Sequence, residues 1–154
     1  MRKMLLSFKP EVYKKIKAGI KIFEHRRNFP DEPIMAYMYV SSPVKAITGI
    51  VYLANRRNLS QWKEEYRYDS EAVERIESYE KSYRYAMEIL EFQETSEISL
   101  DELRKTVPGF VAPQMYIYLD NTDLLQYIEK VIEYREINVK HNFDKINGTQ
   151  ICIH

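Results

Sequence analysis

A chain of 154 residues, 45% hydrophobic and 30% charged, is long enough to bury one core and too short for two independent ones, so a single folded unit over residues 1–154 is expected. The formal net charge is zero, which excludes a uniformly cationic coat, yet twelve Lys or Arg stand against four Asp or Glu in residues 1–57 and eleven against nineteen in residues 58–154. Cys152 is the only cysteine, which excludes an intramolecular disulfide and a thiolate zinc cluster and fits a cytoplasmic protein; no apolar run has the length of a membrane span.

In chain order, Met1–Ser7 reaches Lys9-Pro10 after too short an apolar run for a signal peptide, and residues 3–8 alternate around Leu5 and Leu6 as a strand does. Pro10 fits the first turn of a helix whose apolar stripe is Val12 and Ile16, and Gly19 suits the left-handed residue that closes it. Ile22–Arg26 then predicts a strand with one wet face, and Asn28–Pro33, with two prolines, an exposed loop. Met35–Val40 is nearly continuous in apolar and aromatic residues, which predicts a strand buried on both faces, broken by Ser41-Ser42-Pro43. Val44–Leu53 predicts a third strand with Gly49 at a bulge or tight bend, and Arg56 and Arg57 fall just beyond its end.

Asn58 can cap a helix with Leu59, Trp62 and Tyr66 as its stripe, and Asp69 or Ser70 starts another with Val73, Ile76 and Tyr83 as its inward row. These two, over residues 58–83, read as a helical insertion between strands. Tyr83–Phe92 returns to strand character. Ser99-Leu100-Asp101-Glu102 has the form of a capping box, Pro108-Gly109 ends that helix, and Pro113–Leu119 alternates as a strand. Asp120 or Asn121 caps a last helix carrying Leu124, Leu125 and Ile128. In the C-terminal extension over residues 120–154, Ile137–Val139 and Gln150–Ile153 predict a hairpin around Asn147-Gly148.

Phosphate-binding glycine loops, a Gly-x-Ser-x-Gly elbow and a Cys–His nucleophile pair are absent, and His25, His141 and His154 lack metal-ligand spacing, so neither metal nor cofactor is expected. What remains is Lys21, Glu24 and Arg26. Two apart on a strand, Glu24 and Arg26 share a side, with Lys21 at the strand mouth. Such a trio suits a pocket in which Arg26 and Lys21 meet a phosphate or the acceptor edge of a base while Glu24 accepts from an exocyclic amine or orients the lysine. An ordinary surface charge ladder, contributing under about 1 kcal/mol, is the competing reading. Thirteen tyrosines, among them Tyr37, Tyr39, Tyr52, Tyr116 and Tyr118, offer stacking platforms for bases and serve equally well as core.

The segment Gly19–Arg26, written G-x-K-x-x-E-x-R, together with Met4–Pro10, Tyr39–Gly49, Ile98–Leu103 and Ala112–Gln114 in the same order, resembles the ASCH domain family of the PUA-like superfamily over residues 3–119. The resemblance implies an α+β fold, a small PUA-like mixed β-barrel with flanking helices, and binding of RNA or a modified nucleotide in transcriptional or translational regulation. The ligand site it implies comprises Gly19, Lys21, Glu24, Arg26, Arg27, Ser41, Ser42, Lys45 and Gln114. Some ASCH-family members hydrolyse the acetyl group of N4-acetylcytidine with the motif lysine, a threonine and a distant glutamate. Gly19, Lys21 and Arg26 match that pattern, whereas Glu24 stands at the threonine's place and no remote glutamate matches; Lys21 and Glu24 are catalytic candidates under that reading. A third reading is a protein-interaction module of the transcription coactivator kind, with the acidic helices of residues 58–83 as the partner surface.

Overall fold

The computed structural model describes residues 1–154. Its elements run β1 (Arg2–Phe8), α1 (Pro10–Lys17), β2 (Phe23–Arg26), β3 (Ile34–Val40), β4 (Ala46–Asn58), α2 (Leu59–Glu65), α3 (Ser70–Glu80), β5 (Tyr85–Ser99), α4 (Leu100–Thr106), β6 (Tyr116–Tyr118), α5 (Asp123–Val131) and β7 (Tyr134–Lys140). The strands form one mixed sheet in the order β2-β5-β4-β3-β1-β6, with β7 also on β5; β1 and β3 run parallel and every other pair antiparallel. The result is an α+β fold, a curled half-barrel with five helices packed around it. No helix is long and apolar enough to cross a membrane.

Period-two alternation sorts β1 between two cores. Met4, Leu6 and Phe8 pack with Ile16 of α1 and with Val51, Ile89 and Phe92, while Leu5 packs with Tyr37 and Ile50 against Leu124 and Ile128 of α5. β3 is divided in the same way, which is why its sequence is apolar almost throughout. A third cluster joins Phe23 of β2 to Leu59 and Trp62 of α2, Ala72 and Ile76 of α3, and Ile151 and Cys152 near the C-terminus. Bulges bend the central strands, one of them between Ile47 and Gly49; a Cβ on Gly49 would lie 2.8 Å from Phe92 Cε1.

Gly19 closes α1 as expected. Its φ is +78°, its N–H donates to Ile16 O at 3.1 Å, and the N–H of Ile20 donates to Lys15 O at 3.0 Å, the paired bonds of a Schellman turn. The turn reverses the chain so that Lys21 points back under β2. Several boundaries differ from the sequence reading. β4 continues to Asn58 and absorbs Arg56 and Arg57, and β5 runs on to Ser99, pairing with β4 to its end while β2 and β7 share its other edge. The strand expected over Pro113–Leu119 shrinks to Tyr116–Tyr118, since Pro113 has no N–H to donate and its carbonyl accepts from Ser7 Oγ at 2.7 Å.

Capping also departs from expectation in places. Asn58 and Asp69 cap α2 and α3 as read, but Thr122 caps α5, because Asp120 is engaged by Arg2 at 3.0 Å. Ser99 caps α4, whereas the Glu102 carboxylate accepts from Tyr127 Oη at 2.7 Å. Of the inward row expected for α3, Ile76 is buried and Tyr83, past the end of the helix, packs with Tyr79 against the same cluster; Val73 lies off the row and Ala72 takes its place. The tail forms no hairpin: β7 joins the edge of β5, and residues 150–153 run irregularly past the third cluster, in which Ile151 and Cys152 are buried. Gly19→Ala is expected to lower the unfolding free energy in urea by about 1 kcal/mol, the cost of a Cβ at positive φ. Ile20→Ala, at a site 57% exposed, should stay within about 0.5 kcal/mol of the wild type.

Candidate functional site

Lys21, Glu24 and Arg26 converge as the motif implied, the first two out of water and Arg26 half-buried at the mouth. Lys21 is 2% exposed and Glu24 4%. Glu24 Oε2 accepts from Arg26 Nη2 at 3.0 Å and from Arg26 Nε at 3.3 Å; Glu24 Oε1 accepts from the His25 N–H at 3.1 Å and lies 3.6 Å from Lys21 Nζ. Burial alone would raise the Glu24 carboxyl, but the Arg26 and Lys21 charges outweigh it and hold the group below the usual carboxylate range. Three ionised groups taken out of water contribute little net stability, because desolvation offsets most of their attraction. A surface ladder therefore does not describe them, and perturbed ionisable groups in a cleft mark candidate functional sites.

The lysine is engaged on several sides. An ammonium has three protons, and around Lys21 Nζ stand Ile153 O at 2.6 Å, His25 Nδ1 at 3.4 Å and Glu24 Oε1 at 3.6 Å. Burial pushes the ammonium below its ordinary pKa, Glu24 opposes that, and Arg26 adds to it. Lys15 Nζ donates to His154 O at 2.7 Å, so two lysines fasten the C-terminal segment beside the site. Cys152, within that segment, has its thiol pushed up to about 12 by burial. His25 is 4% exposed; burial, with the charge of Lys21 beside it, pushes its pKa well below the ordinary value. A neutral His25 that accepts at Nδ1 carries its proton on Nε2, which has no partner in the fold.

These groups floor a hollow of about 350 Å³ at the seam where the half-barrel stays open. β6 covers β1 only at Met4–Leu6, leaving the Ser7–Phe8 end facing β2. Arg26 spans that gap, donating from Nη2 to Ser7 O at 2.7 Å with its guanidinium carbon 5.1 Å from the centre of the Phe8 ring. The walls are Phe8 and Lys9, Ser41, Gln114, Tyr79 and Tyr83, and His154, so one side is polar and one aromatic. Tyr79 stands edge-on to His25 at 4.9 Å, and burial raises its phenol.

Crystal structures of an ASCH protein from Zymomonas mobilis have the same architecture. One superposes with a TM-score of 0.68 at 22% identity, covering 86% of this chain and 96% of that one; a variant of the same protein gives 0.67 at 22% identity, covering 86% and 97%. The chain has the ASCH fold. No protein-family model matches the sequence, and no curated protein does.

Within this ASCH fold, Lys21, Glu24, Arg26, Ser41 and Gln114 line the hollow. Gly19 does not; it lies behind the site, where a Cβ would meet Val139, and its part is to turn the chain. Ser42 and Lys45 sit exposed in the turn after β3, closed by the Val44 N–H on Ser41 O, and do not line the hollow. Arg27 leaves β2 on the far side and lines a neighbouring hollow. Sequence reasoning missed His25, Tyr79, Tyr83 and His154. The spacing Ala72, Ile76, Tyr79, Tyr83 follows one helical face and was a usable signal for the tyrosines; for His154 there was none.

An imidazole kept neutral by the fold binds fewer protons than its unfolded counterpart below about pH 6.5. Its stabilising contribution is complete above that value and is lost as pH falls, by up to about 1.4 kcal/mol per pH unit. His141, lowered by its own burial, acts in the same direction. Urea unfolding followed from about pH 7.5 to about pH 5.5 should give His25→Phe a shallower slope than the wild type by close to one proton. An unchanged slope would show that His25 titrates normally in the fold.

Proposed function

We propose that the seam hollow binds a nucleotide, an RNA or modified-nucleotide residue, with its base held between the aromatic wall and the Glu24 cluster. The observation that carries this reading is the buried Glu24 carboxylate, flanked by two cations, on the floor of a cavity at the small end of the range for small-molecule sites. A carboxylate fixed in that way accepts from an exocyclic amine, the remaining Arg26 donors and the Gln114 amide complement acceptor edges, and Tyr79, Tyr83 and Phe8 supply rings for stacking. The helices between β4 and β5 furnish the Tyr79 wall in this reading.

Titration of ribonucleosides and of a short single-stranded RNA at about 50 and about 200 mM salt tests it: nucleoside affinity should hold, while RNA affinity should fall as released counterions compete. Arg26→Gln should weaken both by about tenfold or more, the loss of a charge-assisted contact. Equal affinity in Arg26→Gln and wild type would contradict the reading.

A second reading, hydrolysis of an acetylated cytidine, is favoured by one observation, the lowered pKa of the buried Lys21 amine, which in its neutral form is a nucleophile or base. Incubation with N4-acetylcytidine should then release cytidine and acetate in the wild type and not in Lys21→Ala. No release by the wild type leaves binding alone.

A further inference from the structure

A second concavity, of about 490 Å³, opens beside the first, and the two share Tyr83 in their walls. Consecutive residues at the end of β2 serve one each: Arg26 lines the seam hollow and Arg27 its neighbour. The turn after α3 is tied to this strand end by the Arg84 N–H, which donates to Arg26 O at 3.2 Å, and it brings Lys81 and Arg84 to the same rim.

The charges here are arranged unlike those of three other arginines on the sheet. Arg2, Arg56 and Arg57 each meet a carboxylate, at 3.0, 3.6 and 2.6 Å. Arg27, Lys81 and Arg84 form no ion pair, and Glu80, the acid in this hollow, is taken by Lys63 at 3.0 Å. Two of the three cations come from the half of the chain that is acidic on balance, so the basic end is assembled across the polarity of the sequence.

We infer that this second hollow is a phosphate subsite for the nucleotide whose base occupies the first, so that the ligand is a nucleotide and not a free nucleoside. The inference rests on the nucleotide-binding reading above. Three exposed, unpaired cations around one depression match a phosphate group, which guanidinium groups bind through paired N–H donors and an ammonium binds as a point charge. Tyr83 at the common wall places the boundary of the two hollows where the sugar would pass from stacked base to phosphate. Because the cations are exposed, their attraction is screened by salt, unlike contacts made by the buried Glu24 cluster.

The test is calorimetric titration of the four common ribonucleosides and their 5′- and 3′-monophosphates, with inorganic phosphate alone as a further probe, into wild type and the double variant Lys81→Gln/Arg84→Gln. At about 50 mM salt, one monophosphate should bind the wild type at least tenfold more tightly than its nucleoside, and in the variant that advantage should shrink to within about twofold. Thermal unfolding of the variant should match the wild type, since both side chains are exposed. Monophosphates no tighter than nucleosides, or an advantage that survives in the variant, would overturn the subsite while leaving the base pocket standing. Inorganic phosphate bound as tightly as the monophosphate would likewise overturn it. If no nucleoside or nucleotide binds at all, the base pocket and the subsite fall together.

Discussion

The molecule turns on one carboxylate. Glu24 lies out of water between a guanidinium and an ammonium, and each of those reaches on to a backbone carbonyl from another part of the chain: Arg26 to Ser7 in β1 and Lys21 to Ile153 near the C-terminus. β2 has a sheet partner on one edge only, β5. Its other edge is held by these side-chain bonds, so the open seam of the half-barrel is bridged by charged side chains where a barrel would use a backbone ladder. The arrangement adds little to stability by itself, since burying the charges costs about as much as their attraction returns. What it provides is geometry: charged groups held at fixed positions around a small opening, with little freedom left to lose when a ligand arrives.

The surroundings follow from that opening. Apolar packing supplies the rigid frame, with β1 and β3 buried on both faces and the helices distributed over three clusters. α3 and the turn after it close one side of the hollow with an aromatic wall, Tyr79 and Tyr83, and the C-terminal segment closes another. That segment also occupies the lysine. Ile153 O accepts from Lys21 Nζ at 2.6 Å, so turning that proton to a ligand requires that the segment shift. The Arg26, Ser41 and Gln114 side needs no such movement.

Much of this was legible in the sequence where causes are local. A glycine after an amphipathic helix predicted the positive-φ turn at Gly19, and residues two apart predicted the meeting of Glu24 with Arg26. The near-continuous apolar run of β3 predicted its burial on both faces, and Asn58 and Asp69 announced their caps. Illegible features were those fixed by distant partners. Asp120 looked like a cap until Arg2, 118 positions away, claimed it. Residues 150–153 alternated like a strand but join no sheet edge, and Ile151 and Cys152 found burial against α3 and β2. Ser42 and Lys45 belonged to the site implied by the resemblance and lie exposed in one short turn outside its lining. His25, read as a scattered histidine, became a wall of the site because α3 brings Tyr79 against it.

Since the seam is held by Glu24, the most direct measurement is a double-mutant cycle on Glu24→Gln and Arg26→Gln in urea unfolding. A buried, shared network predicts a coupling energy above about 1 kcal/mol between the two substitutions. Additive effects, with coupling under about 0.3 kcal/mol, would place the pair among ordinary exposed ion pairs and remove the basis for a preorganised site at the seam.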